Sequence, residues 1–276
     1  MTLAIVFKGT EGIVLAADSR VTLTFQVPGT QLVTPAHFDN ATKLLKVGKQ
    51  QHVAAVTFGL GTFGQLEPRT AHSYLPEFEQ ELINENVERL SVKEFAERLA
   101  GFYLKQYQAS NTPGNAGDMN FLVGGYDEGA AYGRVFQVSV PSNPNPIEHN
   151  ANVFGLRFGG QAEITGRILN GFDGNLIGWL KTRYNLDDVQ TVQLSNDVMA
   201  SQALSIPYQV LPLQDCVDLC ILLVDTTAQL MAYTVGVRGV GGAVDVATIT
   251  RMDGYQPIQV KCVKGKDHGV RDGHSL

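Results

Sequence analysis

Several common functions are excluded by what this chain lacks. Its 276 residues contain three cysteines, Cys216, Cys220 and Cys262, too few for a disulfide framework. No Cys/His spacing of a metal site occurs, so neither a metal nor a cofactor is expected. Cys216 and Cys220 are expected two strand steps apart, packed as small apolar residues. Basic charge is scarce: Lys and Arg number 21 against 27 Asp and Glu, a net charge of -6. With no basic stripe to neutralise phosphates, a nucleic-acid partner is not expected. There is no charged-then-apolar leader and no evident membrane-length apolar run, so a cytoplasmic location without a membrane partner is expected. No nucleotide-binding loop occurs, and no Pro/Ser-rich linker divides the chain. With 44% hydrophobic residues, one large core is within reach.

What is present begins at the N-terminus. Leu3, Ile5 and Phe7, then Ile13, Leu15 and Ala17, flank Lys8-Gly9-Thr10-Glu11-Gly12, where two glycines permit a hairpin. The hairpin returns Asp18 beside Thr2. If Met1 is removed, Thr2 carries a hydroxyl nucleophile and a free α-amine on one residue. A threonine hydroxyl needs a base. An α-amine, with a pKa of about 8, is partly neutral near pH 7, whereas a lysine at roughly 10.4 is not. Downstream come Lys43-Leu44 and the strand Val53 to Phe58, running into Gly59-Leu60-Gly61.

Other segments carry element signals. Gln65 to Glu88 reads as a helical stretch broken early by Pro68 and Pro76. Ser91-Val-Lys-Glu94 is a capping box, and Val92, Phe95, Leu99, Phe102 and Tyr103 recur at helical spacing up to about Ala109. Ile164 to Tyr184 and Asp197 to Ser205 supply a third and a fourth helix. Pro141 to Pro146 reads as a surface loop. Val244 to Ile249 and Pro257 to Val263 read as short strands, and Lys264 to Leu276 as a polar, mobile tail. Strands interleaved with paired helices indicate an α+β layered domain.

In order along the chain stand Thr2, Gly12-Ile-Val-Leu-Ala-Ala-Asp18-Ser-Arg20, Lys43-Leu44, the strand into Gly59, the hairpin Phe121 to Val138, and Phe158-Gly-Gly-Gln161 leading into a helix. This series resembles the proteasome β-subunit superfamily, in its bacterial branches: the heat-shock-locus-V-like proteases, the ancestral β-subunit proteins and the betaproteobacterial homologue. The resemblance spans about residues 2–240, leaving 241–276 as a C-terminal extension.

The resemblance implies a four-layer α/β/β/α sandwich of two antiparallel sheets flanked by helices, closed by a strand pair at Val217–Thr226 and Ala232–Val237. It implies a threonine-type endopeptidase in which Thr2 attacks a peptide carbonyl, Lys43 and Asp18 support it, and the Gly59 N–H meets the oxyanion. Arg20 would brace the Asp18 turn. Gly159 and Gly160 would stand where the family has a Gly-Ser-Gly turn, and Asp215 is the one acid offered for the family's amine-supporting Asp. The implied partners are peptide or unfolded-protein substrate, further copies in a homo-oligomeric, two-layered ring, and a separate ATPase unfoldase. A transpeptidase or ligase using the same acyl-enzyme and a silent ring scaffold are the alternatives. The long interval between Asp18 and Lys43 implies an extended hairpin around Thr24 to His37 within the loop 21–40.

Overall fold

The computed structural model of the protein describes residues 2–26, 29–64 and 67–262. The opening hairpin forms as β1 (Leu3–Lys8) and β2 (Ile13–Asp18), its turn closed by Gly9 N donating to the Gly12 carbonyl at 2.9 Å. The extension expected before Lys43 is a second hairpin, β3 (Val21–Gln26) and β4 (Val33–Phe38). There follow β5 (Leu44–Leu45), β6 (Val53–Gly59), β7 (Thr62–Phe63), β8 (Arg69–Thr70), α1 (Leu75–Asn84) and α2 (Val92–Ala109). The second half runs β9 (Met119–Gly125), β10 (Arg134–Val140), β11 (Asn143–His149), β12 (Gly155–Gly160), α3 (Glu163–Asn170), α4 (Gly174–Tyr184), α5 (Asp188–Gln202), α6 (Leu213–Tyr233), β13 (Val244–Thr250) and β14 (Gly254–Gln259).

Two five-stranded antiparallel sheets dominate, ordered β12-β1-β2-β13-β14 and β11-β10-β9-β6-β5. Both faces of β1 and β2 are buried, which explains their near-continuous apolar sequence. Leu3, Ile5, Phe7, Val14 and Ala16 pack against Leu169 of α3 and Cys216, Cys220, Leu223 and Val224 of α6. The alternate residues Ala4, Val6, Ile13, Leu15 and Ala17 meet Ala54, Val56, Leu122 and Val135 of the second sheet. The far side of that sheet, through Ala55, Phe121, Val123 and Phe136, packs on Phe78 of α1 and on Phe95, Leu99 and Tyr103 of α2. The architecture is α+β, built on antiparallel sheets, with six α-helices among the described residues.

Several expectations change. The capping box forms at Ser91 and Glu94 as read. The helix expected from Gln65 is shorter: β7, β8 and a 3-10 turn at His72–Tyr74 precede α1, and Pro76 sits in the first turn of α1, where its missing N–H costs nothing. Ile164 to Tyr184 is two helices, parted at Gly171 (φ 78°) and restarted by the Asp173 cap. The fourth helix starts earlier, from the Asp187–Gln190 capping box. Pro144 and Pro146 lie in β11, an edge strand that tolerates proline, rather than in a loop.

The largest correction concerns the closing strands. Residues 217–226 belong to α6, whose buried Cys216, Cys220, Leu223, Val224 and Thr227 repeat at three- and four-residue spacing. Cys216 and Cys220 are therefore one helical turn apart. α6 is long and apolar enough to cross a membrane, at a mean hydropathy of 1.4, a feature the sequence reading passed over; here one face of it packs on the first sheet. Strands β13 and β14 close the first sheet, β13 pairing with β2. Residues 244–259, expected in a C-terminal extension, are thus part of the sheet that carries Thr2. The tail from Lys264 lies outside the described residues.

Candidate active site

The hairpin register places Ala4 opposite Ala17, which sets Asp18 beside Leu3 and Thr2. Asp18 has no exposed side-chain surface and accepts four hydrogen bonds. Oδ1 takes Leu3 N at 3.0 Å and Lys43 Nζ at 2.8 Å. Oδ2 takes Arg20 N at 3.1 Å and Gly241 N at 3.0 Å. Lys43 is held again by the Arg20 carbonyl at 2.6 Å, and its side chain is 5% exposed. Burial pulls the Lys43 pKa below its ordinary value, while the Asp18 carboxylate opposes the shift.

Arg20 braces this turn at both ends. Its backbone binds Asp18 and Lys43, and its guanidinium grips Asp39 with two hydrogen bonds, at 2.5 and 2.8 Å. That contact raises the Arg20 pKa and lowers that of Asp39. Ser19 Oγ ties Asp39 O and Ala243 O at 2.8 Å each, joining the turn to the segment ahead of β13.

Thr2, 4% exposed, lines a pocket of ≈ 140 Å³ together with Lys43, Gly59, Thr57, Thr70 and His72. Gly59 ends β6 with φ 85°, and an added Cβ would collide with the Asp118 carbonyl, so only glycine fits. Gly159 and Gly160 end β12, directly opposite Ala4 and Leu3. Gly160 (φ 92°) lies so close to the Thr2 carbonyl that any Cβ would overlap it, and Gln161 N donates to that carbonyl at 2.7 Å. A Cβ at Gly159 would enter the Phe58 ring.

Thr2, Asp18, Arg20, Lys43, Gly59, Gly159 and Gly160 therefore gather at one end of the paired sheets. Asp215 does not join them. It is exposed in the first turn of α6, next to Leu213, whose N–H is held by Glu11 of the opposite hairpin turn at 2.7 Å. The segment that does precede the closing strand, 234–243, contains neither Asp nor Ser.

Sequence reasoning missed Gly241, Asp39, His72, Asp245 and Lys261. Asp245, nearly buried, accepts Lys261 N at 2.9 Å and pairs with its ammonium. Lys261 lowers and Asp245 raises the Lys43 pKa, both by charge. Desolvation, and less strongly Lys261, holds the His72 imidazole below its ordinary pKa. The four glycines from 236 to 242 were the available signal for a chain passing close to the Asp18 turn.

Among the described residues no cluster of three or more His, Cys, Asp or Glu is arranged to hold a metal. A threonine, a buried lysine–carboxylate pair and a positive-φ glycine around one small pocket suit acyl transfer to the threonine oxygen.

The fold is proteasome-like. A solved structure of Anbu, the Gly-1 mutant from Hyphomicrobium sp. strain MC1, matches 98% of this chain and 90% of its own with a TM-score of 0.54 at 15% identity. At that identity the likeness establishes the fold. No protein-family model matches the chain, and no curated protein matches its sequence.

Proposed function

We propose that the protein is an N-terminal threonine peptidase on the four-layer α/β/β/α fold of N-terminal nucleophile hydrolases, acting once cleavage ahead of Thr2 frees its α-amine. The observation that carries this reading is the convergence of Thr2, the buried Lys43–Asp18 pair and Gly59 on one pocket. In the proposed sequence the Thr2 hydroxyl attacks the peptide carbonyl and its proton passes to the α-amine. The Lys43 ammonium stabilises the developing alkoxide, and the Gly59 N–H faces the oxyanion. The amine then protonates the leaving group, and water hydrolyses the ester. Asp18 fixes Lys43 and keeps its charge, and Arg20 positions both. The Gly160 approach and the Gln161 N–H set the position of the Thr2 backbone.

Further copies of this chain and a separate unfoldase are proposed partners, and the cytoplasm is the proposed location. The α4–α5 pair supports self-assembly. Neither helix buries a residue, while Trp179 is 59% exposed and Val189 78%. A silent scaffold is the second reading, favoured by the lack of Asp and Ser in 234–243. Hydrolysis of unstructured fluorogenic peptides by the trimmed protein, with Thr2→Ala as control, separates the two. Turnover that disappears in the variant supports the peptidase, and equal signal from both sinks it.

A further inference from the structure

Lys261 carries a charge, close to the Thr2 pocket, that acyl transfer as described leaves unused. Asp245, Ala247 and Ile249 alternate along β13 opposite Ala17, Leu15 and Ile13. Ala247 and Ile249 pack in the core between the two sheets, so Asp245 points into the same space, at its Thr2 end. Leu44 lies in that core too, and Lys43 beside it reaches Asp18, the residue after Ala17. Two carboxylate–ammonium pairs, Asp18–Lys43 and Asp245–Lys261, thus stand near one another between the sheets.

The chain at the end of β14 is drawn back over β13 to place this lysine. The β13–β14 register shifts at a bulge beside Pro257. Past it, Gln259 Nε2 donates to the Val244 carbonyl at 2.8 Å, and Lys261 N donates to Asp245 Oδ1 at 2.9 Å. Those two bonds pin residues 259–261, and neither needs a charge on the Lys261 side chain. Yet the ammonium turns inward onto Asp245 Oδ2, which leaves the side chain 12% exposed. An enclosed ion pair is commonly no more stable than apolar side chains of the same volume, so pinning alone does not account for it.

The groups around the ammonium supply a use. Asp245 and Lys261 line a cavity of ≈ 490 Å³ with Thr42, Leu44 and Tyr255, and Thr42 is also on the rim of the Thr2 pocket. Lys43 and His72, both lining the Thr2 pocket, feel the Lys261 charge. Lys43 also faces the carboxylates of Asp18 on β2, Asp39 just after β4 and Asp245 on β13, and it is held by the Arg20 carbonyl. Against these carboxylates Lys261 sets a like charge. A lysine held by carboxylates alone gives up its proton reluctantly; a second ammonium beside it makes it a stronger hydrogen-bond donor and adds to the positive field on a developing anion.

We propose that Lys261 is a positioning residue for Lys43: pinned by Asp245, its ammonium presses on Lys43 from the cavity side and strengthens the hydrogen bond that Lys43 gives the Thr2 alkoxide. The catalytic consequence rests on the peptidase reading; the coupling of the two lysines does not.

The test follows the ε-carbon NMR resonance of Lys43, identified by its loss in Lys43→Arg, through an alkaline titration of the folded full chain. Alongside it runs the pH profile of peptide hydrolysis by the trimmed protein. Lys261→Met removes the opposed charge, so the Lys43 midpoint and the alkaline limb of activity should both move to higher pH. Asp245→Asn removes a carboxylate and should move both to lower pH. Lys261→Arg, which keeps the charge, should retain the original profile, and the double variant Asp245→Asn with Lys261→Met should return close to it. Loosened packing would be shared by the two single variants and cannot give opposite shifts. Where Lys261→Met fails to fold, the same effect is read as a higher midpoint in the double variant than in Asp245→Asn. A Lys43 midpoint indifferent to Lys261, single variants that shift it the same way, or an alkaline limb that stays in place while the midpoint moves would each overturn the proposal. Midpoints that move as expected in a trimmed chain that hydrolyses no peptide would sink the peptidase reading and leave the coupling standing.

Discussion

Asp18 is the residue on which the site geometry depends, because one buried carboxylate joins β1, the Arg20 turn, Lys43 and the segment ahead of β13. Asp18→Asn leaves the Lys43 charge buried without its partner and should cost about 3–5 kcal/mol in urea unfolding. Because burial lowers the Lys43 pKa below 10.5 while Asp18 raises it, catalysis that needs the ammonium should fail along an alkaline limb below pH 10.5. Removing the carboxylate lowers that pKa further, so the limb should move to lower pH in Asp18→Asn; a limb that stays in place would contradict the role given to Lys43. Gly160→Ala forces a Cβ onto the Thr2 carbonyl at positive φ and should destabilise by at least about 1–3 kcal/mol. Tyr126→Phe should do the opposite, leaving thermal stability unchanged or raised, since it removes a hydroxyl that no described residue satisfies. That Thr2, Asp18, Lys43 and Gly59 come together was legible in the sequence, because a glycine-turned hairpin returns Asp18 to Thr2 and a lysine and a strand running into glycine follow in the order of the resemblance. Asp245 and Lys261 were not, since their approach to Lys43 depends on a strand pairing across more than two hundred positions.

At the scale of elements, the opening hairpin, the second hairpin and α2 could be read locally, from glycine turns, alternation and a capping box. α6 could not. Its run Leu219 to Val224 is apolar at almost every position, so strand and helix periods fit it equally until the sheet beneath selects one face. The helix makes a sharp prediction for neighbouring leucines. Leu223, fully buried, should cost about 2–5 kcal/mol when replaced by alanine. Leu222, 58% exposed, should change stability by no more than about 0.5 kcal/mol. Thermal unfolding of the two variants checks this, and equal losses would contradict the packing of α6. β13 and β14 were visible as strands, but nothing local showed that β13 pairs with β2 at the centre of the sheet rather than lying in an appendage.

Across the whole molecule, two buried sheets hold the proposed catalytic pocket at one end, while the α4–α5 pair presents an apolar surface outward. If copies of this chain assemble through that surface, Trp179→Glu with Val189→Glu should reduce the mass measured by light scattering without altering helical content. An unchanged mass would exclude those helices as the contact. The central claim, that Thr2 is the nucleophile, is tested most directly by the intact mass of protein whose N-terminus is Thr2, before and after exposure to a threonine-directed β-lactone. The account predicts one adduct per chain, mapped to Thr2 and absent from Thr2→Ala; a trimmed and folded chain that takes no adduct would contradict it.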